Sequence, residues 1–255
     1  VQIDIDPARI GLRFPADVGL VGTCRDVLRA LLPLVTKKTE RGFLEKAQKR
    51  MTHWRALMDE RGTRTSTPMK PQVVTYHLNR LLDRDAIVSS DSGTIATWTA
   101  RYIDMRDTMQ FSLSGSLATM ANGLPYSIGA AVAYPGRQVV CVVGDGGFTM
   151  LMGEVATLVK YDLPVKVIII KNNVLGEIKW EQMALGGNPE FGTELQPIDF
   201  AAYARACGAG GFTIDDPARA ESTLREALAY SGPAVIEAVV DPNEPPLPGK
   251  ISTEM

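Results

Sequence analysis

Cysteine and histidine are scarce in this chain, and neither sign of charge prevails. The three cysteines, Cys24, Cys141 and Cys207, stand far apart without paired spacing. That excludes a disulfide framework or a zinc knuckle and makes a reducing, cytoplasmic compartment the expected setting. His53 and His77 are the only histidines, and neither has a carboxylate or cysteine beside it in sequence, which leaves structural roles for both. With 27 basic against 29 acidic side chains the formal charge is -2. The concentrated basic excess of a nucleic-acid binder is missing, so no nucleic-acid partner is expected. No apolar run approaches the roughly 20 residues that span a bilayer, and VQIDIDPARI lacks the charged-then-apolar profile of a signal peptide. A soluble protein without membrane attachment is expected.

What is present suffices for a core: 45 % of the 255 residues are hydrophobic, enough for one large α/β domain or for one domain plus a piece of another. Position 1 is valine and VQIDID reads as a buried strand caught mid-domain, so a fragment or a subunit cut from a longer polypeptide is expected. Val1 to Ile5 reads as a strand and Thr23 to Leu34 as an amphipathic helix, with Cys24, Val27, Leu28, Leu31 and Leu32 near helical spacing. Residues 40–61, charged with apolar residues every three or four positions, predict a largely solvated helix. The run RTSTPMKP has linker composition and places a linker at 64–70.

Beyond it, over residues 71–243, helix and strand patterns alternate. Helices are predicted over Pro71 to Leu82, Gly123 to Ala133, Thr149 to Lys160, Asp199 to Ala206 and Ala218 to Tyr230. Strands are predicted over Ala86 to Ser89, Gln138 to Val143, Val165 to Ile170 and Ala234 to Val240. The alternation predicts an α/β fold, a mostly parallel sheet with helices on both faces. The remnant of a second α/β domain precedes it over residues 1–63, and a tail follows at 244–255.

The chemistry is concentrated around two of these strands. Gly144-Asp145-Gly146-Gly147-Phe148 follows the apolar run Val139 to Val143, and Asn172-Asn173 follows the next apolar run. One carboxylate and one amide thus stand at the carboxyl ends of two strands, where α/β sheets bind ligands. The glycines let the backbone approach a ligand without Cβ hindrance, and a helix starting after Phe148 would turn free N–H groups toward an anion. Asp145 is the hard oxygen ligand that magnesium takes beside phosphate oxygens, and Asn172 adds a neutral one. A lone Gly-Asp-Gly is more often a steric turn. Specificity comes from the order: apolar strand, GDGGF, amphipathic helix, LPVKVIII strand and Asn-Asn within one βαβ unit.

In that order the chain resembles the thiamine diphosphate-dependent enzymes of the pyruvate oxidase and acetolactate synthase group. Their signature is a GDG separated from an Asn by one such passage. VQIDIDPARIG and VGTCRDVLRALLPLV are similar to the end of that group's central domain, and residues 70–243 to its C-terminal diphosphate-binding domain. The resemblance implies thiamine diphosphate and Mg2+ as cofactors. It implies Asp145 and Asn172 as metal ligands through their side chains, with Val174 adding its backbone carbonyl. Gly144, Gly146, Gly147, Leu175 and Gly176 would line the diphosphate, and Gly93, Thr94 and Ile95 in SDSGTIATW would form a second phosphate-contacting turn. In SLATMANGLP, Ala118 would accept from the exocyclic amine and Met120 would be the apolar wedge that keeps the coenzyme bent. The implied substrate is a 2-keto acid, decarboxylated on the coenzyme. In that group an activating glutamate comes from a separate N-terminal domain, normally of a neighbouring subunit. Nothing here matches that domain, so a homodimer or homotetramer is implied, and these residues alone should hold half a site and show no turnover.

The likeness is read as nearest to pyruvate oxidase, including the quinone-reducing type, through GDGGFTMLMGE, LPVKVIII, NNVLG and GGNPEFGTEL. Oxidative decarboxylation of pyruvate or a similar acid is the implied function. An acetolactate synthase-like carboligase and a non-catalytic truncated cofactor-binding domain are the alternatives. The likeness also implies FAD on the central domain, where IDIDPARIG is similar to the segment near the flavin's adenosine. Asp4 and Asp6 then touch the ribose, or else end a solvated strand. PPLPGKISTEM lacks the amphipathic C-terminal anchor of the quinone-reducing oxidases. Glu177 departs from the pattern, since the oxidases usually place a phenylalanine there between the two cofactors, and a carboxylate changes substrate fit or flavin coupling. Glu181, one helical turn on, is a candidate for acid/base work. Its plainer reading is a solvated helix carboxylate paired with Lys179 or a neighbour. Glu177 and Glu181 are accordingly the expected catalytic residues.

Overall fold

The computed structural model describes residues 1–184 and 186–246. The chain divides into two compact units, Val1–His53 and Trp54–Met255. In the first, strand β1 (Gln2–Asp4) pairs in parallel with β2 (Gly19–Val21). Helix α1 (Cys24–Leu31) follows, its first turn capped by Thr23, whose Oγ1 accepts from the Asp26 amide at 3.1 Å. It is shorter than the expected Thr23 to Leu34, because Thr23 is the cap and Pro33 removes a helical N–H donor, so Leu32–Leu34 closes as a 3-10 turn. The expectation of a buried strand in VQIDID is also corrected: Gln2, Ile3 and Asp4 are half-buried and Val1 is exposed.

Helix α2 (Gly42–Gly62) contains the division between the units. Up to His53 every residue of it is exposed, as its charge pattern requires, whereas Met58 is buried and packs with Trp54 and Leu57 in the core of the second unit. That unit therefore begins before the linker expected at 64–70. Met69, inside that linker, is 1 % exposed, and its carbonyl accepts from the Asp241 amide at 2.8 Å.

The second unit opens with α3 (Pro71–Leu81), where Pro71 sits at the first helical position and its missing N–H costs nothing. There follow β3 (Ile87–Ser90), α4 (Thr94–Tyr102), β4 (Gln110–Ser112), α5 (Gly123–Ala133) and β5 (Val139–Gly144). Next come α6 (Asp145–Leu151), α7 (Val155–Lys160), β6 (Lys166–Lys171), α8 (Gly176–Ala184), α9 (Phe200–Ala206), β7 (Gly210–Ile214), α10 (Ala220–Ala229) and β8 (Ala234–Val239). The six strands form one sheet in the order β4-β3-β5-β6-β8-β7, every neighbouring pair parallel. Alternate residues feed opposite faces, as the pleat dictates. Val140, Val142, Ile168 and Ile170 join one core cluster with Leu78 and Leu224. Val139, Cys141, Val143, Val167 and Ile169 join the other with Leu158 and Phe200. The expected α/β fold with helices on both faces is the observed one.

Three expectations change in detail. The helix predicted from Thr149 begins at Asp145 and is interrupted by a 3-10 turn at Met152–Glu154. Strand β7 was not predicted, because Gly210-Gly211 has no strand signal. Gly211 is there for close approach, since a Cβ on it would stand 2.1 Å from the Ala201 carbonyl oxygen under α9. Helix α4 and the short edge strand β4 also went unpredicted. Of the expected tail at 244–255, residues 247–255 lie outside the described residues; Glu244 accepts from Gln72 Nε2 at 2.7 Å. No helix among the described residues is long and apolar enough to cross a membrane.

Candidate coenzyme site

The chain passes from β3 outward to β4 and returns to lay β5 on the other side of β3, so strand order reverses between β3 and β5. Loops leaving the two strands diverge there and open a crevice at their carboxyl ends. A cavity of about 300 Å³ occupies it, and its walls are the segments that follow β3, β5 and β6 together with Ala118 and Met120. Every residue expected to hold thiamine diphosphate or magnesium or to act in catalysis lines this one cavity: Gly93, Thr94, Ile95, Ala118, Met120, Gly144, Asp145, Gly146, Gly147, Asn172, Val174, Leu175, Gly176, Glu177 and Glu181. Trp180 is not among its lining residues.

Asp145 is the first residue of α6, with the extended Gly144 as its cap, so the helix's first turn is the GDGG segment itself rather than one starting after Phe148. The Asp145 carboxylate is 5 % exposed. Its Oδ2 accepts from the Asn173 amide at 2.6 Å and its Oδ1 from the Gly146 amide at 3.0 Å. Asn173 adopts the left-handed conformation, φ 56°, and Asn172 Oδ1 accepts from the Val174 amide at 3.1 Å. The carboxylate at the end of β5 therefore folds the asparagine turn at the end of β6 toward itself. Burial pushes the Asp145 carboxyl above the ordinary range, and the backbone amides only partly offset it.

Glu177 lies in the first turn of α8, with its Oε2 buried and unpartnered among the described residues. Burial raises its pKa, and the Glu181 carboxylate adds to the effect. Of the plainer reading of Glu181, as a solvated carboxylate paired with Lys179 or a neighbour, the Lys179 partner is excluded. Lys179 is 5 % exposed and binds Glu190 Oε2 at 3.1 Å and Asn243 Oδ1 at 2.9 Å, contacts that tertiary packing alone supplies. A group whose pKa is raised by folding holds its proton more tightly in the folded state, so its contribution is full at acid pH and is lost as pH rises through the raised value. Glu177→Gln should therefore melt at the same temperature as the parent below the carboxylate range and at a higher one near neutrality. Thermal melts across that range decide it, and a constant offset at all pH values would refute it.

Asp91, at the end of β3, is not among the expected site residues; it follows a buried strand as Asp145 does, but one that ends in two serines. It is 1 % exposed and lines the same cavity. Its Oδ1 accepts from the Gly123 amide at 2.7 Å, while Oδ2 is buried without a partner among the described residues. Burial raises its pKa. Gly147 has to be glycine for this reason, since a Cβ there would stand 2.0 Å from Asp91 Oδ2. Gly147→Ala is expected to cost about 1–3 kcal/mol through overpacking. A denaturant midpoint unchanged from the parent would show that Asp91 yields freely.

Comparison with known proteins agrees with this geometry. Residues 91–238 match the family described as thiamine pyrophosphate enzyme, C-terminal TPP binding domain. A Bacillus subtilis protein described as thiamine pyrophosphate-containing, YdaP, is 41 % identical over 99 % of this chain and 44 % of its own length. The acetolactate synthase large subunit of Porphyra purpurea is 34 % identical over 100 % of the chain and 44 % of its own length. The pyruvate oxidase of Lactiplantibacillus plantarum is 31 % identical over 96 % and 41 %. The reading of pyruvate oxidase as nearest is thereby corrected, since both other relatives exceed it. The chain spans less than half the length of each of these relatives.

Proposed function

This chain belongs to the thiamine pyrophosphate enzymes, whose C-terminal binding domain it carries, and from that premise we propose that its cavity holds thiamine diphosphate with Mg2+ and serves decarboxylation of a 2-keto acid. The reading is carried by one observation: a buried carboxylate without a cation partner among the described residues, Asp145, faces a glycine-walled cavity beside the amide Asn172. The donor set fits the ion, because the Asp145 carboxylate, the Asn172 amide oxygen and the Val174 carbonyl are the hard oxygens that Mg2+ takes beside phosphate. No group of three His, Cys, Asp or Glu side chains able to hold a metal occurs among the described residues. The backbone of Gly144, Gly146, Gly147, Leu175 and Gly176 would line the diphosphate, with Gly93, Thr94 and Ile95 as a second turn. Ala118 would accept from the exocyclic amine, and Met120 would wedge the coenzyme bent.

When bound, thiamine diphosphate supplies the nucleophilic carbon and the electron sink. The protein supplies position and protons. Glu177, kept toward its neutral form by burial, is suited to donate to an oxyanion of the substrate, and Glu181 lines the same cavity one helical turn on.

The likeness of GDGGFTMLMGE and GGNPEFGTEL to pyruvate oxidases supports oxidation as the outcome. The higher identity to an acetolactate synthase favours a second reading, carboligation to another keto acid or aldehyde. Only the first reading requires an electron acceptor such as FAD. Asp4 Oδ1 accepts from the Asp6 amide and Asp6 Oδ1 from the Ala8 amide, each at 3.0 Å, which accounts for both carboxylates as local caps without a ribose. An activating glutamate from an N-terminal part, a homodimer or homotetramer and a cytoplasmic location complete the proposal. The test is the complete protein supplied with pyruvate. Carbon dioxide release with acceptor reduction and a flavin spectrum supports the oxidase; acetolactate or acetoin without net oxidation supports the carboligase. No decarboxylation of any 2-keto acid would leave only a binding domain.

A further inference from the structure

The turn that carries Ala118 and Met120 is in an unfavourable conformation. Ala118 and Ala121 have φ of 51° and 68°, the left-handed region that side chains other than glycine rarely adopt. Four bonds from the end of β3 hold it there: Asn122 Nδ2 donates to the Ser90 carbonyl at 3.0 Å, the Ser92 amide to the Thr119 carbonyl at 3.4 Å, Ser89 Oγ to the Gly123 carbonyl at 2.7 Å, and the Gly123 amide to Asp91 Oδ1 at 2.7 Å. The last of these is made by a buried carboxyl group. The other oxygen of that group bears on Gly147, so Asp91 is wedged between the turn of residues 118–123 and the GDGG turn.

We propose that Asp91 is a positioning residue: by accepting from the Gly123 amide it holds the turn that keeps Ala118 and Met120 at the cavity wall, and so sets the aminopyrimidine half of the coenzyme site. This rests on the coenzyme reading above. Asp91 makes no hydrogen bond to the GDGG turn among the described residues; that turn is held by the bonds of Asp145 to the Asn173 and Gly146 amides, so shortening Asp91 relieves the contact at Gly147 without removing a bond there.

The complete protein, loaded with Mg2+, is titrated calorimetrically with thiamine diphosphate and, separately, with inorganic pyrophosphate. Asp91→Ala should weaken thiamine diphosphate binding roughly tenfold or more, the loss expected when a buried donor is left unpaired, while pyrophosphate binding stays at the parent level. Asp91→Asn keeps an oxygen for the Gly123 amide and should restore most of the affinity. If the alanine variant does not fold, Asp91→Ser, too short to reach that amide, should show the same split. Unchanged thiamine diphosphate binding, equal loss of both probes, or an asparagine variant as weak as alanine would overturn the assignment. A parent protein that binds neither probe would instead sink the coenzyme reading, and this inference with it.

Discussion

Asp145→Ala is expected to abolish magnesium-dependent binding of thiamine diphosphate, with a loss of about 100-fold or more. Removing even an outer-shell partner of a metal ligand costs roughly 10–100-fold, and Asp145 is proposed both as ligand and as the group that folds its neighbour into place. Its Oδ2 takes the Asn173 amide at 2.6 Å, so its loss frees the asparagine turn as well as the negative charge. Stability should move the other way. A carboxylate 5 % exposed, with its pKa raised by burial, destabilises the metal-free fold near neutral pH. Asp145→Asn, which keeps one acceptor and drops the charge, should melt at or above the parent in magnesium-free buffer and gain nothing from added magnesium and coenzyme. Calorimetry and melting with and without Mg2+ check both halves. Parent-like affinity in Asp145→Ala would place the metal elsewhere.

Lys171→Met should be the most destabilising of the changes considered, by about 3–5 kcal/mol, because it leaves a buried carboxylate without its cation. Lys171 ends β6, and its Nζ meets Glu237 Oε2 on β8 at 3.1 Å and also donates to the Ile198 carbonyl. Glu237, 4 % exposed, further accepts from the Phe200 amide and the Thr213 hydroxyl, each at 3.1 Å, so one carboxylate ties β8, β7 and the start of α9 to β6. The double variant Lys171→Met, Glu237→Gln should recover part of the loss, since an amide still accepts from Phe200 while the unpaired charge is gone. Urea midpoints of the parent, the two single variants and the double variant form the cycle. Simple additivity would mean that the pair is not coupled. The asparagine turn directly follows Lys171, so a loosened β6 should also lower coenzyme affinity.

Much of the second unit was legible because its signals are short-range. The valine run before Gly144 and the isoleucine run before Asn172 declare buried parallel strands by composition, and the glycines between them declare a turn. Elements without such signals went unread. β4 is a three-residue edge strand with all its residues exposed, and β7 opens on two glycines. Asp91 carries no signal of its own, since nothing nearby in sequence indicates that Gly123 and Gly147 converge on it. The pairing of Lys179 with Glu190 and Asn243, in place of Glu181, is a choice of the packed fold in the same way.

The sequence by itself determined the order of strand, glycine turn, helix, strand and asparagine, and with it the fold class and the oxygen donors on offer, because hydrophobic period and turn chemistry act over a few residues. Only the tertiary structure decided which carboxylates are buried, which lysine answers which glutamate, and that β3 lies against β5 so that Asp91 braces a strained turn beneath Gly147. Those outcomes depend on desolvation and on contacts between segments remote in the chain, and the free energy of a charge is set by what surrounds it in space.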